Sequence, residues 1–304
     1  MSAFDAYMRL DGTIHGDVLV DESLKRHSSF RIGGPADLYI TVPTYSDLTT
    51  TMEVLTEEEV PWVVLGRGTN ILVHDEGYRG AVIVLGDEFQ KFERQEDGRY
   101  TVGAGALLAR VVQNAFNGGF SGLEFAVGIP GTMGGAISMN AGTRREWIGS
   151  VVEDVVTYRV GEGLVRYGWS DIGWYYRSNT LPPSELILET TLKLEEGDKD
   201  RIRERMEEML SARRKAQPMD VPSAGSIFRN PSDASVGKMV EDLGLKGFSI
   251  GGAQVSPKHA NFIVNTGGAS ASDVAKVLLY VRNSVKEAYG VELKPEIKFL
   301  GFPS

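Results

Sequence analysis

The chain has 304 residues, a net charge of −9, 42% apolar and 24% charged residues, 36 glycines and no cysteine. The missing cysteine excludes disulfides, thiolate catalysis, iron–sulfur clusters and cysteine-bound zinc, and the acidic balance disfavours a general binder of nucleic acid or anionic membrane. The length suffices for two or three domains, and glycine well above the usual ~7% fits loops in which the backbone approaches a ligand.

The N-terminal segment Met1–Leu10 lacks the basic start and apolar run of a signal peptide. No stretch approaches the ~20 apolar residues of a membrane span, so the expected location is the cytoplasm. Ser46 and Asp47 are candidate caps for a helix with Leu48, Met52 and Leu55 on one face, ended by Pro61. Trp62–Leu65 then reads as a buried strand, followed by the turn Gly66-Arg67-Gly68-Thr69-Asn70-Ile71. Tyr100–Gly103 is a second strand, and Leu107, Leu108, Val111, Val112, Ala115 and Phe116 mark a helix stopped at Gly118 and Gly119. The apolar segment Leu123–Val127 reads as a strand leading into a second glycine-rich turn. That turn is Gly128-Ile129-Pro130-Gly131-Thr132-Met133-Gly134-Gly135.

Strand patterns recur at Val151–Arg159 and Glu185–Leu194. A charged helix over Asp198–Ala216 carries Ile202, Met206, Met209 and Leu210 on its apolar side, and Gln217–Pro222 forms a domain joint. The remainder reads as a short helix around Val236–Leu243, a strand at Asn261–Asn265 and a long helix from Ser272 to Tyr289. The pattern is α+β.

Two strand-to-loop turns with little side-chain bulk let backbone N–H groups approach a pyrophosphate. Neither is the Rossmann fingerprint, because Gly66-Arg67-Gly68-Thr69-Asn70-Ile71 lacks the third glycine. The expectation is a phosphorylated cofactor held by another scaffold. A hydrolase elbow is disfavoured at Gly247-Phe248-Ser249-Ile250-Gly251, where no acidic residue lies between Ser249 and His259. The histidines at 15, 27, 74 and 259 are too scattered for a local zinc motif and are expected to be structural hydrogen-bonders.

The segment Pro222-Ser223-Ala224-Gly225-Ser226-Ile227-Phe228-Arg229-Asn230-Pro231, with Tyr175–Ser178 and Leu293–Glu296, resembles the UDP-N-acetylenolpyruvoylglucosamine reductase (MurB) family. The resemblance continues through His27–Ala36, both glycine-rich turns, Gly247–Ser256 and His259–Phe262, and spans His27 to Gly301. It implies an FAD-binding fold of the vanillyl-alcohol-oxidase (PCMH) type in two subdomains, 1–85 and 86–216, plus a C-terminal α+β substrate-binding domain, 217–304. The implied activity is a step of peptidoglycan precursor synthesis. NADPH reduces FAD, and the flavin reduces an enolpyruvyl ether to the lactyl ether of UDP-N-acetylmuramate.

By the same resemblance Gly66, Arg67, Gly68, Thr69, Asn70, Ile71, Gly128, Ile129, Pro130, Gly131, Thr132, Gly134, Gly135, Asn140 and Gly142 hold FAD. The turns contain no histidine or cysteine, so FAD is expected to be bound non-covalently. Arg177 and Glu296 match the groups that stabilise the enolate, and Ser226 the donor of a proton to the substrate's second carbon. Such charge needs cations and donors aimed at it. Tyr176, Arg214, Arg229, Asn230 and Lys238 are candidate substrate contacts. Taken singly, Arg177 is an ordinary strand-end cation, Ser226 a turn residue and Glu296 a surface charge. Arg213, Arg214 and Lys215 also suit a helix C-terminus; the joint motifs decide the reading.

The compact stretch between Ser226 and Glu296 resembles the short (type II) form, which lacks an inserted tyrosine loop, so closure over the substrate falls to another element. No nucleic-acid, membrane, metal or obligate protein partner is expected. Two alternatives differ in class: another flavin oxidase of the same fold, and a nucleotide-sugar-binding module without turnover. A flavin spectrum separates the module from the flavoenzymes, and NADPH oxidation dependent on the enolpyruvyl substrate separates reductase from oxidase.

Overall fold

The computed structural model describes residues 2–95 and 98–303, so Met1, at which the N-terminal reading begins, lies outside the described residues. The chain forms two compact units. One comprises residues 1–20, 38–66 and 80–212, the other 21–37, 67–79 and 213–304.

In the first unit, a sheet runs in the order Val18–Ser23, Pro35–Val42, Tyr78–Leu85, Trp62–Val64, the last two strands parallel. The helix Tyr45–Glu57 packs Leu48, Met52 and Leu55 into one core with Leu38, Ile40 and Ile83. Its cap is Thr44 rather than Ser46 or Asp47: Thr44 Oγ1 accepts the Asp47 N–H at 3.1 Å and satisfies one orphan donor of the first turn. The helix ends at Glu57, before Pro61 is reached.

A second, antiparallel sheet of this unit runs Gly163–Gly168, Val152–Arg159, Leu186–Leu192, Tyr100–Gly103, Phe92–Arg94. The helix Leu108–Gly118 buries Leu108, Val111, Val112 and Ala115 among Tyr100, Val102, Val155 and Leu192, and stops at Gly119 with φ +79°. The expected strand at Leu123–Val127 is instead a 3₁₀ turn, Glu124–Ala126. The Glu124 carboxylate accepts the Ser121 hydroxyl at 2.6 Å and the Gly122 N–H at 2.7 Å, which curls the chain back on itself. Of the helix Lys199–Ala216, Ile202 is buried, and Met206 and Met209 pack against the core of the same unit.

The second unit carries an antiparallel sheet in the order Ser223–Ser226, Phe262–Asn265, Ala253–Val255, Ser249–Ile250. Against it lies the helix Ala271–Tyr289, which buries Val274, Val277, Leu278, Val281 and Val285. Ser270 and Asp273 form a reciprocal capping box, and Gly290 ends the helix at φ +68°. The stretch between Ser226 and Glu296 therefore holds more than one strand: the two-residue Ser249–Ile250 and the three-residue Ala253–Val255 form an additional hairpin. Strands this short carry too little alternation to register as a period. A parallel pair, Ile71–Val73 with Lys298–Leu300, closes the unit. No helix among the described residues is long and apolar enough to cross a membrane.

Candidate functional site

In the first unit, the turn Gly128–Gly135 is fixed by Leu108 N–H donating to Gly131 O (3.1 Å), Met133 N–H to Ala106 O (2.9 Å) and Gly134 N–H to Ala104 O (2.8 Å). Gly131 has φ +130°, a conformation that L side chains rarely adopt. Thr132 Oγ1 accepts the Gly135 N–H at 3.3 Å. Gly66 lies against the same hydroxyl; a Cβ there would sit 2.6 Å from Thr132 Oγ1. Among the described residues, the backbone N–H groups of Gly131 and Thr132 make no hydrogen bond. A Cβ at the exposed Gly135 would meet only Thr132 Oγ1, at 3.5 Å. An open surface with idle amide donors suits a ligand that is purely an acceptor, such as a pyrophosphate. Ile129 and Pro130 lie on the same turn, Ile129 donating its N–H back to Ala126 O.

The Asn140 side chain and the Gly142 carbonyl are engaged within the protein. The Asn140 side chain, buried, donates to Tyr175 O (2.9 Å) and accepts the Gly149 N–H (3.1 Å). Gly142 O accepts from Arg177 Nη1 at 2.8 Å. These bonds tie the loop after the turn to the segment Tyr175–Arg177. Arg177 has φ +60°, unusual for a non-glycine residue, and its guanidinium carbon stands 5.0 Å from the centre of the Tyr176 ring. Arg144 stands 5.8 Å from that ring. The half-buried arginine is thus held by a carbonyl and an aromatic face in a strained backbone conformation.

In the second unit, the turn from Arg67 to Ile71 is bound to two other segments. Ser29 N–H donates to Gly68 O (3.0 Å), and Ser29 Oγ donates to Ser223 O (2.6 Å). Gly68 sits so close to His27 that a Cβ would fall 2.1 Å from its carbonyl oxygen. Asn70 Nδ2 donates to Glu296 O (3.2 Å), while Asn70 O accepts the Lys298 N–H (2.9 Å). Arg67 is exposed, Thr69 lies between, and Ile71 begins the parallel pair with Lys298–Leu300.

The segments that carry Ser226 and Glu296 run side by side in this unit. Glu296 N–H donates to Ile227 O at 2.7 Å, and Arg229 N–H donates to Lys294 O at 3.0 Å. Ser226 pairs with Phe262, and the register slips by one residue between Ser223 and Ser226. This bulge, with Gly225 at φ +75°, re-aims the strand where the serine projects. Both residues are half-buried.

The substrate-contact candidates divide by what their side chains already touch. Arg229 has its Nε buried without a partner among the described residues, which leaves guanidinium capacity for an anion. Asn230 Oδ1 is engaged by the Val236 N–H at 2.9 Å. Lys238 is exposed and ion-paired with Asp242, whose bond raises the ammonium's pKa. Arg214 is exposed, its carbonyl held by Lys258 Nζ at 2.7 Å. Tyr176 is exposed beside Arg177. Sequence reading assigned no role to Ser29 or to Asn261, the buried amide beside Phe228. The signal for both was their place in family-like motifs.

Ser249 lies on a hairpin strand opposite Gln254, not on a strand-to-helix elbow, which removes the hydrolase reading. The histidines are hydrogen-bonded: His15 to Asp47, His27 to Glu22, His74 to the Glu76 N–H and His259 to the Asn261 N–H. Burial holds the His259 pKa below its usual 6.5. The folded state therefore favours neutral His259, and its contribution is present above the unfolded pKa and lost as pH falls through the folded one. A His259→Gln variant is expected to lose less of its urea midpoint than the parent between pH 7.5 and pH 5. An equal loss in both proteins would remove His259 as a source of acid sensitivity.

A family model described as UDP-N-acetylenolpyruvoylglucosamine reductase, C-terminal domain, matches residues 217–300, and an FAD binding domain model matches 36–162. The chain is similar to a UDP-N-acetylenolpyruvoylglucosamine reductase of Caldanaerobacter subterraneus subsp. tengcongensis, 41% identical over 287 residues and 94% of each chain. One from Heliobacterium modesticaldum is 41% identical over 292 residues, 94% of this chain and 91% of the other. The crystal structure of the Thermus caldophilus reductase superposes with a TM-score of 0.82 at 37% identity, covering 94% of this chain and 99% of that one.

Proposed function

The chain belongs to the UDP-N-acetylenolpyruvoylglucosamine reductase family, and from that premise we propose that it reduces the enolpyruvyl ether of UDP-N-acetylenolpyruvoylglucosamine with NADPH. It is an FAD-dependent oxidoreductase of peptidoglycan precursor synthesis, α+β in fold, with an FAD-binding domain of the vanillyl-alcohol-oxidase type. The observation that carries the proposal is the Glu296 N–H bond to Ile227 O at 2.7 Å, which sets a carboxyl residue beside the residue following Ser226.

Bound FAD supplies hydride transfer between NADPH and substrate. The idle N–H groups of Gly131 and Thr132 and the open space at Gly135 fit its pyrophosphate, with the Gly66–Ile71 turn as the second candidate contact. Hydride addition at the terminal carbon of the enolpyruvyl group leaves negative charge on an enolate beside a carboxylate. Arg177 supplies positive charge to that enolate, and Glu296, in its protonated form, supplies a hydrogen bond. Ser226 Oγ gives its proton to the second carbon and completes the lactyl ether. Arg229, with an idle Nε, is the strongest candidate to bind an anionic group of the nucleotide sugar. Asn140 and Gly142 act indirectly, by holding the Tyr175–Arg177 segment.

The test begins with the cofactor turn. At Gly131 any side chain is strained by φ +130°, whereas at Gly135 the nearest atom leaves an ordinary contact of 3.5 Å. Gly135→Leu is therefore expected to fold and to purify without flavin absorbance, while Gly131→Leu is expected to lose both stability and flavin. Full FAD occupancy in folded Gly135→Leu would count against this turn. With the parent protein, NADPH oxidation beyond one equivalent per flavin is expected only when the enolpyruvyl substrate is present. Dioxygen-dependent turnover on a sugar or alcohol would instead identify an oxidase.

A further inference from the structure

Two residues past Ser226, one buried side chain bonds both backbone groups of a single residue. Asn261, 3% exposed, accepts the Phe228 N–H through Oδ1 (3.1 Å) and donates through Nδ2 to Phe228 O (2.8 Å). Its own carbonyl accepts the Ile227 N–H at 2.9 Å. Phe228 is itself buried, so both of its backbone polar groups depend on this one amide. On the opposite edge, Ile227 O accepts from Glu296 and Arg229 N–H donates to Lys294 O.

From this arrangement we infer that Asn261 is the positioning residue for Ser226, Glu296 and Arg229, acting through residues 227 and 228. The inference rests on the roles proposed above for those three side chains. Asn261 does not bear on the reacting atoms itself. A bulge and a positive-φ glycine precede Ser226, so the strand is kinked there and its exit direction rests on the bonds made by residues 227 to 229. Among these, the two-way bond at Phe228 is the one that a side chain makes. Only a side chain with one donor and one acceptor in a single plane can do this; among short side chains that is asparagine, or a protonated aspartic acid.

This requirement yields a chemical test. Asn261→Asp keeps the shape, but as a carboxylate it presents an oxygen to Phe228 O where a donor is needed. Protonation restores the donor, and burial pushes that carboxyl's pKa upward. In rapid-mixing experiments at neutral pH, Asn261→Asp is expected to accept hydride from NADPH at the parent rate. Reoxidation by the enolpyruvyl substrate is expected to slow by about 10²-fold, the scale of a roughly 1 Å misplacement. As pH falls, the variant-to-parent ratio of reoxidation rates is expected to climb toward one. His259, whose Nδ1 accepts the residue-261 N–H at 3.2 Å, titrates in the same range, so the ratio is also measured in a His259→Gln background, where the recovery is expected to persist.

Asn261→Ala is the companion variant, slowed at every pH with no recovery. Two controls separate this inference from the reading beneath it. If Ser226→Ala reoxidises at the parent rate, the serine's role fails. If Ser226→Ala is slow while Asn261→Asp matches the parent at neutral pH, positioning alone fails. A flat pH ratio in Asn261→Asp, or equal slowing of both half-reactions, would also overturn it. Should Asn261→Ala not fold, the pH ratio of Asn261→Asp still decides the matter.

Discussion

A Ser226→Ala variant is expected to be reduced by NADPH at close to the parent rate and then to stall in front of its substrate. The substitution removes one hydroxyl from a half-buried strand position and leaves the neighbouring backbone bonds in place, including Glu296 N–H to Ile227 O. Flavin reduction needs the cofactor turn and the nicotinamide but no proton at the substrate's second carbon. Reoxidation needs that proton, and a serine can deliver it only because the enolate is strongly basic. The loss in the oxidative half-reaction is therefore expected to exceed the ~10²–10⁴-fold of ordinary acid–base catalysis. Stopped-flow traces at the flavin band separate the halves, and equal reoxidation in variant and parent would remove Ser226 from the mechanism.

Much of this arrangement was legible in the residues, for reasons that differ by element. The helix Ala271–Tyr289 announces itself through its apolar face, Gly290 and a Ser270/Asp273 box, all local signals. The helix start was placed at Ser46 and Asp47 rather than Thr44 because all three are capping residue types within four positions. Tertiary burial of Asp47 decided among them. The 3₁₀ turn at Glu124–Ala126 was misread as a strand on apolar content alone. Yet Ser121 and Glu124 stand at capping-box spacing, and that signal was present.

For the proposed site, the motifs single out Ser226, Glu296 and Arg177, but no sequence pattern states which way an amide points. Asn140 and Asn230 use their side chains inside the fold. Asn261, to which no chemistry was assigned, makes the two-way bond beside Ser226. Hydrogen-bond direction depends on which backbone groups a fold leaves orphaned, and this is settled only once the segments meet. The register slip between Ser223 and Ser226 is of the same kind: it belongs to a pair of strands, and no single strand encodes it.

Arg177 and Glu296 are expected to show their role in kcat rather than in KM. Arg177 is held at φ +60° with Nη1 on Gly142 O and its guanidinium beside the Tyr176 ring, a posture that costs backbone strain and fixes the cation's direction. A group set in advance in this way stabilises charge that develops later and gains little from the ground state. Arg177→Ala is expected to lower kcat by about 10²–10³-fold, the scale of losing one preorganised donor. Arg177→Lys is expected to recover little, because a point ammonium cannot hold the carbonyl and the enolate in the same plane. Glu296→Gln keeps an N–H donor at the same place but cannot move a proton. A severe loss there assigns Glu296 an acid's part, and a mild one a donor's part. Steady-state kinetics of the three variants decide between these outcomes. A large rise in KM with kcat unchanged in both Arg177→Ala and Glu296→Gln would make them substrate-binding groups, and the enolate's stabilisation would then have to come from other donors.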